Sequence, residues 1–124
     1  MSRDSFINRD QNHGTPSHRR APNQEKDWAK RSGGKLVPGS GCSYQKGDVK
    51  GAFGHFRIEC KTTKKKSFSV TRDMIKKVEE AGLPSGEAPV LIIEFLDEQG
   101  NPEMEIAVLP TYVLEGIAEH AKKS

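Results

Sequence analysis

Asp48 precedes the triplet Glu59-Cys60-Lys61 by ten intervening residues. Two acids and an ammonium are the residue types that hold a hard divalent cation beside a phosphodiester. Side chains alternate faces along a strand. In the run from His55 to Lys61 the polar His55, Arg57, Glu59 and Lys61 therefore share one face, and Phe56, Ile58 and Cys60 share the other. Lys46 to Lys50 reads as the preceding strand, and Gly51-Ala52-Phe53-Gly54 as a glycine-bounded turn that folds it back antiparallel. Such a hairpin brings Asp48 alongside Glu59.

Magnesium takes carboxylate and water oxygens in octahedral geometry and is commonly held by one or two protein carboxylates plus substrate phosphate oxygens. Asp48 and Glu59 meet that need, with the backbone carbonyl of Cys60 as a further oxygen ligand and manganese as a possible substitute ion. Lys61 would lie near the metal-bound water, lowering its pKa and offsetting charge that builds on the phosphorane. Phosphate ester hydrolysis needs accelerations of about 10¹⁷-fold or more, so the metal is assigned the largest part of the work. On a solvated strand face the same triplet is an ordinary salt-bridge pattern, and only its context separates the two readings.

That context is specific. Glu25 in a short helix, Gly39-Ser40-Gly41, Lys46-Gly47-Asp48-Val49, Ile58-Glu59-Cys60-Lys61-Thr62-Thr63 and Lys66-Ser67 follow one another in order. Together they resemble the PD-(D/E)XK nuclease superfamily, and within it the archaeal and phage Holliday-junction resolvases, over residues 24 to 96. The resemblance implies Asp48 and Glu59 as metal ligands and Lys61 as the catalytic lysine. It further implies Glu25 as the helix-borne acid completing the metal site, with Asp27 close by, and Ser40 as the glycine-flanked serine near the scissile phosphate. Gly47 stands where a proline precedes the aspartate in the superfamily's name motif. The implied fold is restriction-endonuclease-like: a mixed β-sheet flanked by helices, with an αβββαβ core plus a C-terminal strand and helix.

The chain has 124 residues, enough for one core and not two. Residues 1–23 are polar and basic with little periodicity and read as a flexible arm; residues 24–124 read as the nuclease domain. The longest apolar run, Pro89 to Phe95, is too short to span a bilayer and contains Glu94. The expected location is cytoplasmic, in a bacterial or phage-infected cell, and two cysteines without a partner motif suit that compartment. A zinc site from Cys42, Cys60 and His55 lacks compact ligand spacing.

The remaining elements supply architecture. Thr71 caps a helix over about Arg72 to Ala81 with an apolar stripe of Met74, Ile75, Val78 and Ala81, ended by Gly82 and Pro84. Val90 to Ile93 is apolar on both faces, as in a central covered strand. A turn over Asp97 to Pro102 leads to a strand over Glu103 to Leu109 with Met104, Ile106 and Val108 on one face. A closing helix over Thr111 to Ala121 presents Val113, Leu114, Ile117 and Ala118.

Net charge is only +3, but it is unevenly placed. Arg57, Lys61, Lys64, Lys65, Lys66, Arg72, Lys76 and Lys77 cluster beside the proposed site, while Glu94, Asp97, Glu98, Glu103 and Glu105 lie elsewhere. Lys46, Arg57, Lys64, Lys65, Lys66 and Ser67, with Arg19 and Arg20 on the arm, are the candidate DNA contacts. Recognition by backbone and shape is expected, with steep salt dependence. Ser67 and Ser69 suit helix capping better than phosphate binding, and His55 suits a hairpin corner. Trp28, Phe53 and Phe68 read as packing residues, and Tyr44 is open between roles.

The expected activity is a magnesium-dependent endonuclease that resolves four-way DNA junctions, a hydrolase of DNA recombination and repair. A twofold homodimer then supplies two symmetric cuts. The alternatives are a nickase, repair or restriction-type nuclease of the same superfamily on non-junction duplex, and a non-catalytic DNA-binding module.

Overall fold

The computed structural model describes residues 16–37 and 48–123, with side chains from Gln24 onward. Along the chain run α1 (Pro16–Ser32), β1 (Lys35–Leu36), β2 (Asp48–Ala52), β3 (Phe56–Thr63), α2 (Arg72–Gly82), a 3₁₀ turn (Leu83–Ser85), β4 (Ala88–Leu96), β5 (Pro102–Val108) and α3 (Thr111–Lys122). The five strands form one mixed sheet in the order β1-β2-β3-β4-β5. Only β3 and β4 run parallel; the other neighbours are antiparallel.

A parallel pair needs a crossover, and α2 supplies it between β3 and β4. Thr71 caps α2 as expected, its hydroxyl accepting from the Met74 amide at 3.2 Å. The helix buries Val78, while Met74 and Ile75 are half-covered and Ala81, expected in the apolar stripe, is exposed. β4 is buried along nearly its whole length, Leu91, Ile92 and Ile93 almost completely, as its two-sided apolar pattern requires.

The two faces of the sheet have different covers. Ile58, Cys60, Val90 and Ile92 form a core with Val49 and Ala52 against Trp28 and Ala29 of α1. Gly34 closes this packing: a Cβ there would lie 2.6 Å from the Lys50 carbonyl oxygen and 2.7 Å from a Val49 methyl. Trp28 donates from Nε1 to Glu105 at 3.2 Å, and the Arg31 guanidinium lies 3.8 Å over its ring. α1 begins at Pro16, inside the segment expected to be an arm. Proline suits the first turn of a helix, and the polar composition of 16–23 concealed the extension. Residues 1–15 lie outside the described part.

The far edge is open. Met104 and Ile106 on β5, and Leu114 and Ile117 of the expected α3 stripe, are 57%, 37%, 56% and 43% exposed, and only Val113 of that stripe is buried. The apolar period was right, but no element covers it among the described residues. Phe53, read as packing, is 55% exposed because it sits at a hairpin turn with φ +52°.

On the other face, Arg57 is buried and its Nε donates to Glu87 Oε1 at 2.8 Å. Glu87 Oε2 accepts the Gly51 amide at 2.7 Å, where φ is +67°, a conformation glycine adopts without strain. One carboxylate thus ties the β2–β3 turn to the start of β4. Glu87→Ala should remove about 3 kcal/mol or more, because it leaves a guanidinium buried and unpaired. Urea denaturation checks this; a loss below about 0.5 kcal/mol, the scale of exposed pairs, would contradict the burial.

Candidate functional site

The register of β2 on β3 places Asp48 directly opposite Glu59 and Val49 opposite Ile58. The Asp48 carbonyl accepts from the Val37 amide at 2.9 Å, so the Asp48 backbone faces β1. Asp48 and Glu59 are therefore a non-hydrogen-bonded pair, the kind in which opposed residues stand closest, about 4.5 Å between Cα atoms. By the same alternation, the Cys60 carbonyl points to the β2 side of β3.

This closeness has an electrostatic consequence. Burial pushes the Asp48 carboxyl up from 3.8 to about 7, helped by a hydrogen bond and charge repulsion from Glu59 and by the negative charge of Glu25, with Arg57 acting in the opposite sense. Two carboxylates this close share a proton. Lys61, two residues on and on the same face, sets its Nζ 3.0 Å from Glu59 Oε2. The ammonium sits on Glu59, and the shared proton is held by Asp48.

Glu25 of α1 joins from across the sheet. Its charge acts on Asp48 and, together with Glu94, Glu59 and Asp48, on Cys60, whose thiol is pushed far up, first of all by burial. Cys60 thus faces the core as a neutral thiol, leaving only its carbonyl for the site. Among the expected residues the structure brings together Asp48, Glu59 and Lys61, with Glu25 within electrostatic reach. Ser40, Lys46, Cys42 and Tyr44 lie outside the described residues, as do the side chains of Arg19 and Arg20. Among the described residues no group of three His, Cys, Asp or Glu side chains is arranged to hold a metal.

Arg57 is a correction. Expected as a DNA contact, it is buried and bound to Glu87, because its strand position lies under the end of α2: a Cβ on Gly82 would come within 3.1 Å of Arg57 Cβ. Lys64, Lys65, Lys66 and Ser67 are exposed after β3, with the Lys65 amide bonded to the Thr63 hydroxyl at 3.0 Å. His55 is exposed at the hairpin corner, edge-on to Phe56.

Three residues escaped sequence reading. Glu87 carried no signal, since its role depends on a partner 30 residues away. Glu94 is completely buried, and an acid inside an apolar run was the available sign. Gln24 is also completely buried, its amide atoms without a hydrogen-bond partner among the described residues; we have no physical account of it.

No family model matches the chain, and no curated protein or solved structure does either. The site is argued from its own geometry. A two-acid pair that is forced to hold a proton is suited to exchanging it for a cation, and in this respect Asp48 and Glu59 fit a divalent ion.

The sign of the pH dependence follows. Between about pH 4 and pH 7 the folded chain keeps a proton on Asp48 that the unfolded chain releases. Metal-free stability should therefore fall as pH rises through that window and level off above it. Asp48→Asn should abolish the slope and melt higher than the native chain at pH 8 in chelator. Magnesium should raise the native melting temperature more at pH 8 than at pH 5, since ligands must be deprotonated to bind. Parallel pH profiles for native and Asp48→Asn proteins would overturn the shared proton.

Proposed function

We propose that this chain is a divalent-metal-dependent endonuclease with a restriction-endonuclease-like fold, of the PD-(D/E)XK kind, and that it cuts branched DNA as a Holliday-junction resolvase. The observation that carries the reading is the cross-strand meeting of Asp48 and Glu59 with the Lys61 ammonium on the same face. Glu25, acting on Asp48 from α1, supports it, as does the sequence of elements, a helix, three strands, a helix and a further strand.

Asp48 and Glu59 would hold the ion, with the Cys60 carbonyl as a further oxygen. A bound magnesium supplies a water of lowered pKa and neutralises phosphate charge. Glu59 orients Lys61 through their ion pair, so the ammonium is fixed where negative charge accumulates on a phosphate lying over the pair. Lys64, Lys65 and Lys66, exposed and continuous with β3, supply a phosphate-backbone surface, which positions a duplex without reading its bases.

The test is magnesium-dependent cutting of four-way junction, nicked, linear and single-stranded DNA. Symmetric nicks in the junction alone support the resolvase; cutting of every substrate supports a nuclease of the same superfamily on ordinary DNA. Binding with no cutting by native protein would leave a DNA-binding module. Lys61→Ala should slow cutting on the order of 10²- to 10³-fold while sparing junction binding in calcium. Loss of both together would contradict its role.

Changing Lys64, Lys65 and Lys66 together to Ala should lower the salt dependence of junction binding by about one unit of log–log slope per lysine that meets a phosphate. An unchanged slope would remove the loop from the interface.

A further inference from the structure

The exposed apolar edge of α3 calls for a partner. Leu114 and Ile117 are 56% and 43% exposed, and with Ala118 and Ala121, both exposed, they form a stripe along the 12-residue helix. The helix is fixed to the body elsewhere: Val113 is buried, and Tyr112 donates to Glu79 of α2 at 2.5 Å. Val113 alone turns inward, Tyr112 reaches Glu79 along the exposed surface, and at 3.6 residues per turn the Leu114 stripe lies open to solvent.

Charge says what covers it. Glu115 and Lys122 are seven residues apart, about two turns, so both flank the same border of the stripe, and both are exposed. In an antiparallel pairing of α3 with a second α3 across a twofold axis, Glu115 in the second turn of one helix meets the basic last turn of the other, which holds Lys122. Glu115 of each copy then lies against Lys122 of the other, and the two pairs form symmetrically, as an isologous interface requires.

We propose that the α3 stripe is the site of self-association, a second copy of this chain packing antiparallel on Leu114, Ile117, Ala118 and Ala121. Met104 and Ile106, paired with Phe95 and Ile93 across the β4–β5 ladder, are further exposed apolar side chains on β5. A helix pair of this length is at the small end of stable interfaces, so the dimer dissociates on dilution. The inference rests on the nuclease reading only for its purpose, which is to supply two active sites for paired cuts.

Sedimentation of the full chain over a concentration series tests it. The expected mass approaches twice the 13.7 kDa of one chain at the highest concentrations. Leu114→Glu should weaken association more than tenfold. Glu115→Lys and Lys122→Glu should each weaken it, and the two changes combined should restore it, a recovery that misfolding or a nonspecific apolar contact would not produce. A monomer at every concentration, or charge variants that associate like the native chain, would overturn the proposal. Activity separates this from the nuclease reading: a monomeric Leu114→Glu chain should still nick single strands with magnesium while losing paired cuts. A native dimer that never nicks would sink the nuclease and leave the interface standing.

Discussion

Everything in this molecule that bears on chemistry depends on one pairing, Asp48 opposite Glu59 across the β2–β3 ladder. Carboxylates repel, and a fold that faces two of them across a non-hydrogen-bonded position meets a cost that water would otherwise relieve. The chain meets it with a proton on Asp48, raised to about 7 by burial and by Glu59, and with Lys61 on Glu59. A one-residue slip of β2 would send Asp48 to the core face and dismantle the arrangement. Register is therefore the quantity that the surrounding structure has to protect.

Several features protect it. Val49 and Ile58, opposite each other and fully buried, lock the neighbouring pair into the α1 face of the sheet. Glu87 holds Arg57 on one strand and the Gly51 amide at the end of the other, so a single side chain from outside the hairpin fixes both arms. Gly34 lets the end of α1 approach β2 closely. The guanidinium of Arg57 also counters the rise at Asp48, which makes a residue read as a DNA contact part of the support beneath the acids.

The hairpin was legible because strand alternation alone decides that Glu59 and Lys61 share a face, and a glycine-bounded turn decides that Asp48 returns to them. The α2 cap at Thr71 and the buried run of β4 were legible for similar reasons, being set by local chemistry and by two-sided apolarity. The inward or outward sense of β5 and α3 was not, because periodicity shows that a stripe exists without showing what covers it. Arg57 was misread since a cation on the same strand face as the acid pair looks like a phosphate ligand until its partner, 30 residues away, is placed. The helical course of 16–23 was hidden by a composition without apolar period. Ser40 and Lys46, expected beside the acids, fall outside the described residues.

The central claim is that Asp48 and Glu59 jointly hold one divalent ion. Crystals soaked with manganese test it directly through the anomalous signal of the metal. The expected result is a single strong peak at coordination distance, about 2.1 Å, from a carboxylate oxygen of each residue, absent in Asp48→Asn crystals treated alike. A peak elsewhere, or one at the pair that survives Asp48→Asn, would contradict it.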